Sequence, residues 1–205
     1  MFGENGRFSD REIEAYERHV LKHATGDGEI YNRTADALGL KGAAHLLDLG
    51  CGTGRALDEI MKRSPWISVT GIDRSPALLA RLLAKPYASR LTLIHADSIQ
   101  AALGTERYDA AVSVLVMHLS PREDRRALYA RIHQSLRPGG RYVEADIAAR
   151  DAAEEDRLFA EAAYERPLTE DSVLGDLRTA GFSSVETYWK HEQRAIYVAR
   201  KDGKK

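Results

Sequence analysis

The chain is poor in several features that would have placed it quickly. It has one cysteine, Cys51, among 205 residues, which excludes an intramolecular disulfide and a cysteine-rich zinc site. It has no surplus of either charge: 30 Lys and Arg stand against 31 Asp and Glu, for a net of −1. That balance carries no electrostatic footprint of a nucleic-acid groove, so nucleic acid is not an expected partner. Its longest apolar stretch, about Ala110 to Met117, is far short of the roughly 20 residues a membrane span needs. The opening residues, Met1 to Glu14, lack the basic-then-apolar pattern of a signal peptide, so the expected location is cytoplasmic, with no membrane partner. Repeats, low-complexity tracts and Pro/Gly/Ser linkers are missing as well. A single domain over residues 1–205 is therefore expected. Hydrophobic residues at 43% and charged residues at 30% complete the profile of an ordinary globular chain.

Within that frame the sequence is well punctuated. Ser9 and Glu12 stand in capping-box spacing before Ile13, Tyr16, Val20 and Leu21, and predict a helix over about 10–24. A second helix, over about 30–39, stops at Gly39 and completes an N-terminal helical cap over 1–40. From residue 44 short apolar runs alternate with amphipathic segments. Strands are predicted at His45–Leu49, Ser68–Ile72, Leu91–Ala96, Asp109–Met117 and Arg141–Ile147. Between the first two, a helix runs to about Lys62. Ser75 and Pro76 read as the cap and first position of another. Ser120, Pro121 and Glu123 repeat that signature for a helix reaching about Leu136, which Pro138-Gly139-Gly140 ends. Helices over 152–165 and 170–180 follow, the latter stopping at Gly181. Ser184–Lys190 and Ala195–Arg200 are too close together to be parallel. The pattern is an α/β sandwich: a mostly parallel sheet with helices on both faces.

The most informative segment is Asp48-Leu49-Gly50-Cys51-Gly52-Thr53-Gly54, at the carboxyl end of the first strand, where an open α/β sheet places its ligand. Arg55-Ala56 is not the Lys-Ser/Thr of a phosphate loop. The glycines read GxGxG, with Arg55 where a dinucleotide fingerprint has its third glycine. Asp48 before them would repel a pyrophosphate and suits a cationic group such as an ammonium.

These residues resemble the first motif of the class I S-adenosylmethionine-dependent methyltransferases, D/E-x-G-x-G-x-G. Further along, Gly71-Ile72-Asp73-Arg74-Ser75, His95-Ala96-Asp97-Ser98-Ile99, Tyr108 through Leu119, and Leu136-Arg137-Pro138-Gly139-Gly140 resemble that family's later motifs. The likeness covers about residues 44–200. It implies seven strands in the order 3-2-1-4-5-7-6 with the last antiparallel, S-adenosyl-L-methionine as cofactor and S-adenosyl-L-homocysteine as product. It also implies roles by position. Asp48 would serve the methionine ammonium, and the backbone of Gly50, Cys51, Gly52 and Gly54 would approach the cofactor. Asp73, with Arg74 beside it, would accept the ribose hydroxyls. Asp97, Ser98 and Ile99 would hold the adenine, and Val114 would border the cofactor.

The acceptor half is less legible. His118 follows the fourth strand at the sheet's carboxyl edge, where a methyl acceptor would lie, and an imidazole suits a general base. The plainer alternative is a helix-flanking histidine bonded to backbone. Tyr16 and Tyr31 fall in the region that commonly covers the cofactor in this family, but serve equally well as core aromatics. Tyr164, Trp189 and Glu144 have weaker claims. The insertion over 148–169 is acidic and Ala-rich and reads as a helical lid. Cys51 has no resolving partner, and His19, His23 and His191 carry no metal-ligand spacing, so neither thiol chemistry nor a metal is expected. The N-P-P-Y type motif of many nucleic-acid amino-methylating enzymes is missing: the chain reads Val114-Leu115-Val116-Met117. A small-molecule methyl acceptor is therefore expected. Val185, Trp189 and Lys190 form a V-x-x-x-W-K ending found in relatives that act on small metabolites or on the cofactor itself. Three alternatives stay open: a protein that only senses the cofactor; an enzyme that modifies it, needing an anionic second ligand near Arg150 or Arg194; and a nicotinamide-dependent oxidoreductase.

Overall fold

The computed structural model describes residues 28–160 and 166–203. The helix expected over about 10–24, with Tyr16, and the position of Tyr164 lie outside the described residues. Up to the fifth strand the order is α1 (Glu29–Leu38), β1 (His45–Leu49), α2 (Arg55–Arg63), β2 (Ser68–Asp73), α3 (Pro76–Leu83), β3 (Leu91–His95), β4 (Tyr108–Val114), α4 (Arg122–Ser135) and β5 (Leu136–Ala149). Then come α5 (Ala152–Ala160), β6 (Leu168–Thr169), α6 (Glu170–Thr179), β7 (Ser184–His191) and β8 (Arg194–Arg200).

The sheet order is β3-β2-β1-β4-β5-β8-β7, the order the resemblance implied, with β8 antiparallel to both neighbours. The parallel pairing of β1 with β2 sets His45 against Ser68 and Leu49 against Ile72. An eighth strand was not expected. Two-residue β6 pairs in parallel with Ala148 and Ala149 at the end of β5, because β5 runs past its predicted end.

Strand periodicity explains the continuous apolar runs. Successive side chains point to opposite faces, and both faces are covered. Leu46, Val69, Val112, Val143 and Ile196 pack with Ile30, Leu38, Leu57, Ile60 and Leu82 of the helices on one side. Leu47, Leu49, Tyr108, Tyr142 and Tyr197 pack with Leu128, Tyr129, Ile132, Val173 and Leu177 on the other.

Three boundaries differ from the sequence reading. β4 ends at Val114, not Met117: Leu115 takes a left-handed conformation, φ 57°, and Met117–Leu119 form a single 3-10 turn. An apolar run cannot reveal such a turn when its side chains stay buried. Pro121, not Ser120, occupies the cap position of α4, without a side-chain cap bond; the Ser120 carbonyl instead accepts from Arg125 Nε at 2.8 Å. Finally, Pro138-Gly139-Gly140 does not separate α4 from β5. The strand begins at Leu136, and its pairing with β4 skips from Leu136–Tyr108 to Arg141–Ala110, so the segment is a bulge within the strand. Ser75 caps α3 as expected, accepting from Leu78 N at 3.4 Å.

Candidate functional site

The turn between β1 and α2 hangs from the end of β2. Gly50 N and Cys51 N both donate to Ile72 O, at 2.8 and 3.1 Å, and Gly54 N donates to Cys51 O at 3.0 Å. Gly50, Gly52 and Gly54 all have positive φ. At Gly50 this is joined by a close approach: a Cβ there would stand 2.5 Å from Val116 Cγ2. Only glycine admits both conditions without strain.

The turn forms one wall of a cleft. Of the residues expected to hold the cofactor, Asp48, Gly50, Cys51, Gly52 and Val114 line it, and so does Tyr31 from α1. Thr53, Arg55, Ala56 and Leu115 also line it, and the sequence reading did not assign them a role. In the sequence Arg55 stands out only as the residue that breaks a dinucleotide fingerprint.

Asp48 lies at the bottom of the cleft, 2% exposed. Its Oδ2 is buried and, among the described residues, has no hydrogen-bond partner. Burial first, and the neighbouring Asp73 charge second, push its carboxyl up to about 7. An orphaned buried acceptor is costly unless something donates to it, and a cation is the partner that would restore its ionised form. Cys51 is buried beside two carboxylates, and burial followed by the Asp48 and Asp73 charges pushes its thiol up, which keeps it an inert thiol.

Asp73 stands beside the turn rather than on the cleft lining. Its Oδ2 accepts from Gly52 N at 2.9 Å and its Oδ1 from Ser75 N at 2.8 Å. The two amides fix the carboxylate plane, and each oxygen retains a second lone pair. Burial raises the Asp73 acid, opposed by those amides and by Arg74 and His95. Asp97 is exposed and closes its own turn, with Oδ1 accepting from Ile99 N at 2.8 Å. Arg131 of α4 pins this loop, donating to the carbonyls of Ser98, Ile99 and Ala101. Arg131 could not be read from the sequence, because it acts from another element. Gly54, Arg74, Asp97, Ser98, Ile99 and His118 are likewise not on the cleft lining.

His118 is 5% exposed on the 3-10 turn after β4. Its Nδ1 lies 2.5 Å from Asp146 Oδ1, and its backbone N donates to Asp146 Oδ2 at 3.1 Å. Asp146, on β5, also accepts from Ile147 N at 2.8 Å. Burial alone would raise this carboxyl, but the His118 imidazole, these hydrogen bonds and the nearby Arg125 charge hold it below its ordinary value. A carboxylate on Nδ1 fixes the imidazole tautomer with its lone pair on Nε2. Arg125, 1% exposed, ties the surroundings together. It donates to the Ser120 and Arg166 carbonyls, while Arg166 N donates to His118 O at 2.7 Å. The insertion after β5 is thereby bonded to the histidine's own backbone. Its helix α5 is anchored through Glu155, which accepts from Arg122, Thr169 N and Ser172. Among the described residues, no helix is long and apolar enough to cross a membrane.

Comparison with known proteins agrees with this geometry. A family model described as "Methyltransferase domain" matches residues 46–140. An O-methyltransferase of Pyrenophora dematioidea is 32% identical over 129 residues, 60% of this chain and 45% of that one. The chain thus spans about half the length of that relative. A carboxy-S-adenosyl-L-methionine synthase of Chromohalobacter salexigens is 23% identical over 97% of this chain and 84% of its own. Human N-acetylserotonin methyltransferase, solved in complex with S-adenosylmethionine, has the same fold, with a TM-score of 0.71 over 95% of this chain and 57% of that one at 18% identity. Over residues 46–140 the chain is thus similar to the methyltransferase domain, and its fold is that of the S-adenosylmethionine-dependent methyltransferases it resembles.

Proposed function

We propose that this chain binds S-adenosylmethionine in the cleft beside the glycine turn and transfers its methyl group to a protic group of a small molecule. The observation that carries the cofactor site is Asp48 Oδ2, a buried acceptor on the cleft wall without a partner among the described residues. It matches the ammonium of a methionine moiety, and Arg55 on the same lining matches the carboxylate. Asp73, oriented by the Gly52 and Ser75 amides, would receive the ribose hydroxyls. Asp97, Ser98 and Ile99 would border the adenine, and Val114 the cofactor's reactive end. Tyr31 would cover the cleft from α1.

When bound, the cofactor supplies an electrophilic methyl on sulfur, displaced in line by a nucleophile held about 3 to 3.5 Å away. The chain's part is to align, exclude water and take a proton. His118 would take that proton on Nε2, with Asp146 on Nδ1 stabilising the imidazolium that forms. The dyad favours an acceptor whose proton must be removed, such as a hydroxyl, over one that is already anionic.

Calorimetric titration with S-adenosylhomocysteine tests the cofactor site. Micromolar binding, weakened by about 1.5–3 kcal/mol in Asp73→Ala, is expected; no binding by the folded wild type would overturn the reading. A hydroxyl-bearing acceptor library then tests the base, since His118→Gln should lose transfer at least a hundredfold.

A second reading is carried by the near-full-length match to the carboxy-S-adenosyl-L-methionine synthase: conversion of the cofactor rather than its expenditure. It needs an anionic second ligand. Arg150 is already forked onto Glu154 at 3.0 and 2.8 Å, which weakens that candidate. Mass spectrometry of the cofactor pool separates the two readings: transfer yields S-adenosylhomocysteine, conversion a heavier sulfonium.

A further inference from the structure

Each glycine of the turn after β1 is held by a different part of the fold. Gly50 packs against Val116 after β4, and Gly52 N is bound by Asp73 at the end of β2. Gly54 takes the cap position of α2 with φ 85° and without a side-chain cap bond. Its hold comes from α3 and the turn that follows α3. A Cβ on Gly54 would stand 2.5 Å from Leu82 Cδ1 and 3.2 Å from the Tyr87 hydroxyl. That hydroxyl donates to Asp58 Oδ1 at 2.7 Å and, as a longer shared bond, to Gly54 O at 3.3 Å. Asp58 N donates to the same Gly54 carbonyl at 2.8 Å, and Lys85 Nζ donates to Asp58 Oδ2 at 2.6 Å. Asp58 therefore bonds the glycine carbonyl with its amide and, with its carboxylate, fixes the tyrosine that bonds the same carbonyl. Burial first, then the Asp58 hydrogen bond and charge, push the Tyr87 phenol up, so it keeps the proton it donates. Gly54, Asp58, Lys85 and Tyr87 are not on the cleft lining, whereas Thr53, Arg55 and Ala56 around Gly54 are.

We propose that Tyr87 and Asp58 are positioning residues for cofactor binding: they hold the Gly54 end of the turn so that Thr53, Arg55 and Ala56 stand ready on the cleft wall for S-adenosylmethionine. The inference rests on the reading of that cleft as the cofactor site. The physical reason is the freedom of glycine. Three glycines within Gly50–Gly54 leave the free backbone more conformations than other residues would. Ordering such a turn on binding would subtract from affinity. A turn already fixed at all three glycines binds without that loss. The Lys85–Asp58 ion pair is about a third exposed on both sides, so it contributes little by itself. It keeps the Asp58 carboxylate in place to accept from the tyrosine.

Calorimetric titration of the whole chain with S-adenosylhomocysteine, paired with thermal unfolding of the same variants without ligand, tests this. Tyr87→Phe keeps the ring against Gly54 and removes only the hydroxyl. It should weaken binding roughly fivefold, the scale of one net hydrogen bond. Asp58→Ala should weaken it by as much or more. Asp58→Asn keeps an oxygen that accepts from Tyr87, and should bind closer to wild type than to Asp58→Ala. In the ligand-free protein, hydrogen exchange at the Gly54 and Asp58 amides should quicken in Tyr87→Phe more than at the β1 amides. A purely structural role would lower the unfolding midpoint and leave affinity within about twofold of wild type. That result would overturn the proposal, and so would an Asp58→Asn variant that binds no better than Asp58→Ala. Tyr87 and Asp58 are substituted separately, so the failure of one variant to fold leaves the other to decide. If the wild type binds S-adenosylhomocysteine and the variants bind equally well, the cofactor site stands and the positioning fails. If the folded wild type does not bind it, the cofactor reading fails and this inference fails with it.

Discussion

Gly50 and Val116 are fitted to each other: the Val116 side chain occupies the space in which a Gly50 Cβ would lie, 2.5 Å from Cγ2. The contact joins the turn after β1 to the segment after β4 and so braces both walls of the cleft. Leu115 makes it possible. Its left-handed conformation turns the chain so that Val116 faces the glycine while the Leu115 amide still donates to Ala145 O at 2.8 Å.

Gly50→Ala should therefore destabilise the fold by roughly 2–5 kcal/mol, combining overpacking with the cost of a Cβ at positive φ. Thermal unfolding measures it. Adding Val116→Ala should recover the overpacking part only, and a double-mutant cycle would show coupling above about 0.5 kcal/mol.

Cofactor affinity should depend on pH through Asp48. Without ligand, Asp48 holds a proton below about 7, and an ammonium requires the carboxylate. Affinity is therefore complete above about 7 and falls roughly tenfold per pH unit below it. Titrations with S-adenosylhomocysteine from pH 5.5 to 8 would show a flat curve if Asp48 does not meet the ammonium.

The same residue should cost stability when no ligand is bound. Its folded-state acid is raised above the ordinary 3.8, so the folded protein binds more protons between those values and loses stability as pH rises through that window. Asp48→Asn should stabilise the ligand-free protein at pH 8 by about 1–3 kcal/mol. It should also weaken S-adenosylhomocysteine binding at least tenfold. Denaturant melts at pH 5 and pH 8 would show the larger gain at the higher pH.

Asp146 behaves in the opposite sense. Its acid is held below the ordinary 3.8, so its contribution is present above that value and lost as pH falls through the lowered one. Asp146→Asn should cost about 2–4 kcal/mol at pH 7, because His118 loses its ionised partner in a buried site. The variant should also show a flatter loss of stability below pH 4.

Glu155 is the one buried residue of α5, and it joins that helix to Arg122 of α4 and to Thr169 and Ser172. Glu155→Ala should release the insertion locally. Hydrogen exchange over 152–160 should quicken more than tenfold, about 1.4 kcal/mol of local stability, while the core strands keep their protection.

The parallel core was legible because its strands are buried on both faces and read as short apolar runs set off by glycine turns, as His45–Leu49 does before Gly50. The antiparallel end was legible because two strands a few residues apart can pair in no other way. The start of β5 was not, since Pro138-Gly139-Gly140 reads as a stop and becomes a bulge only against β4. The His118–Asp146 dyad was only half visible. His118 drew attention by its place after β4. Asp146 did not, because Tyr142, Glu144 and Asp146 at alternate positions resemble the solvent face of a strand. Only the docking of α4 shows that face to be interior.

The sequence by itself thus determined the order of elements, the glycine turn and the acids at the strand ends, because local backbone rules and the two-residue strand period act between near neighbours. Tertiary structure alone decided which acids are buried, which lack a partner and which meet a histidine. Those properties depend on groups far apart in the chain, and burial sets the energy of a charge far more strongly than its neighbours in sequence do.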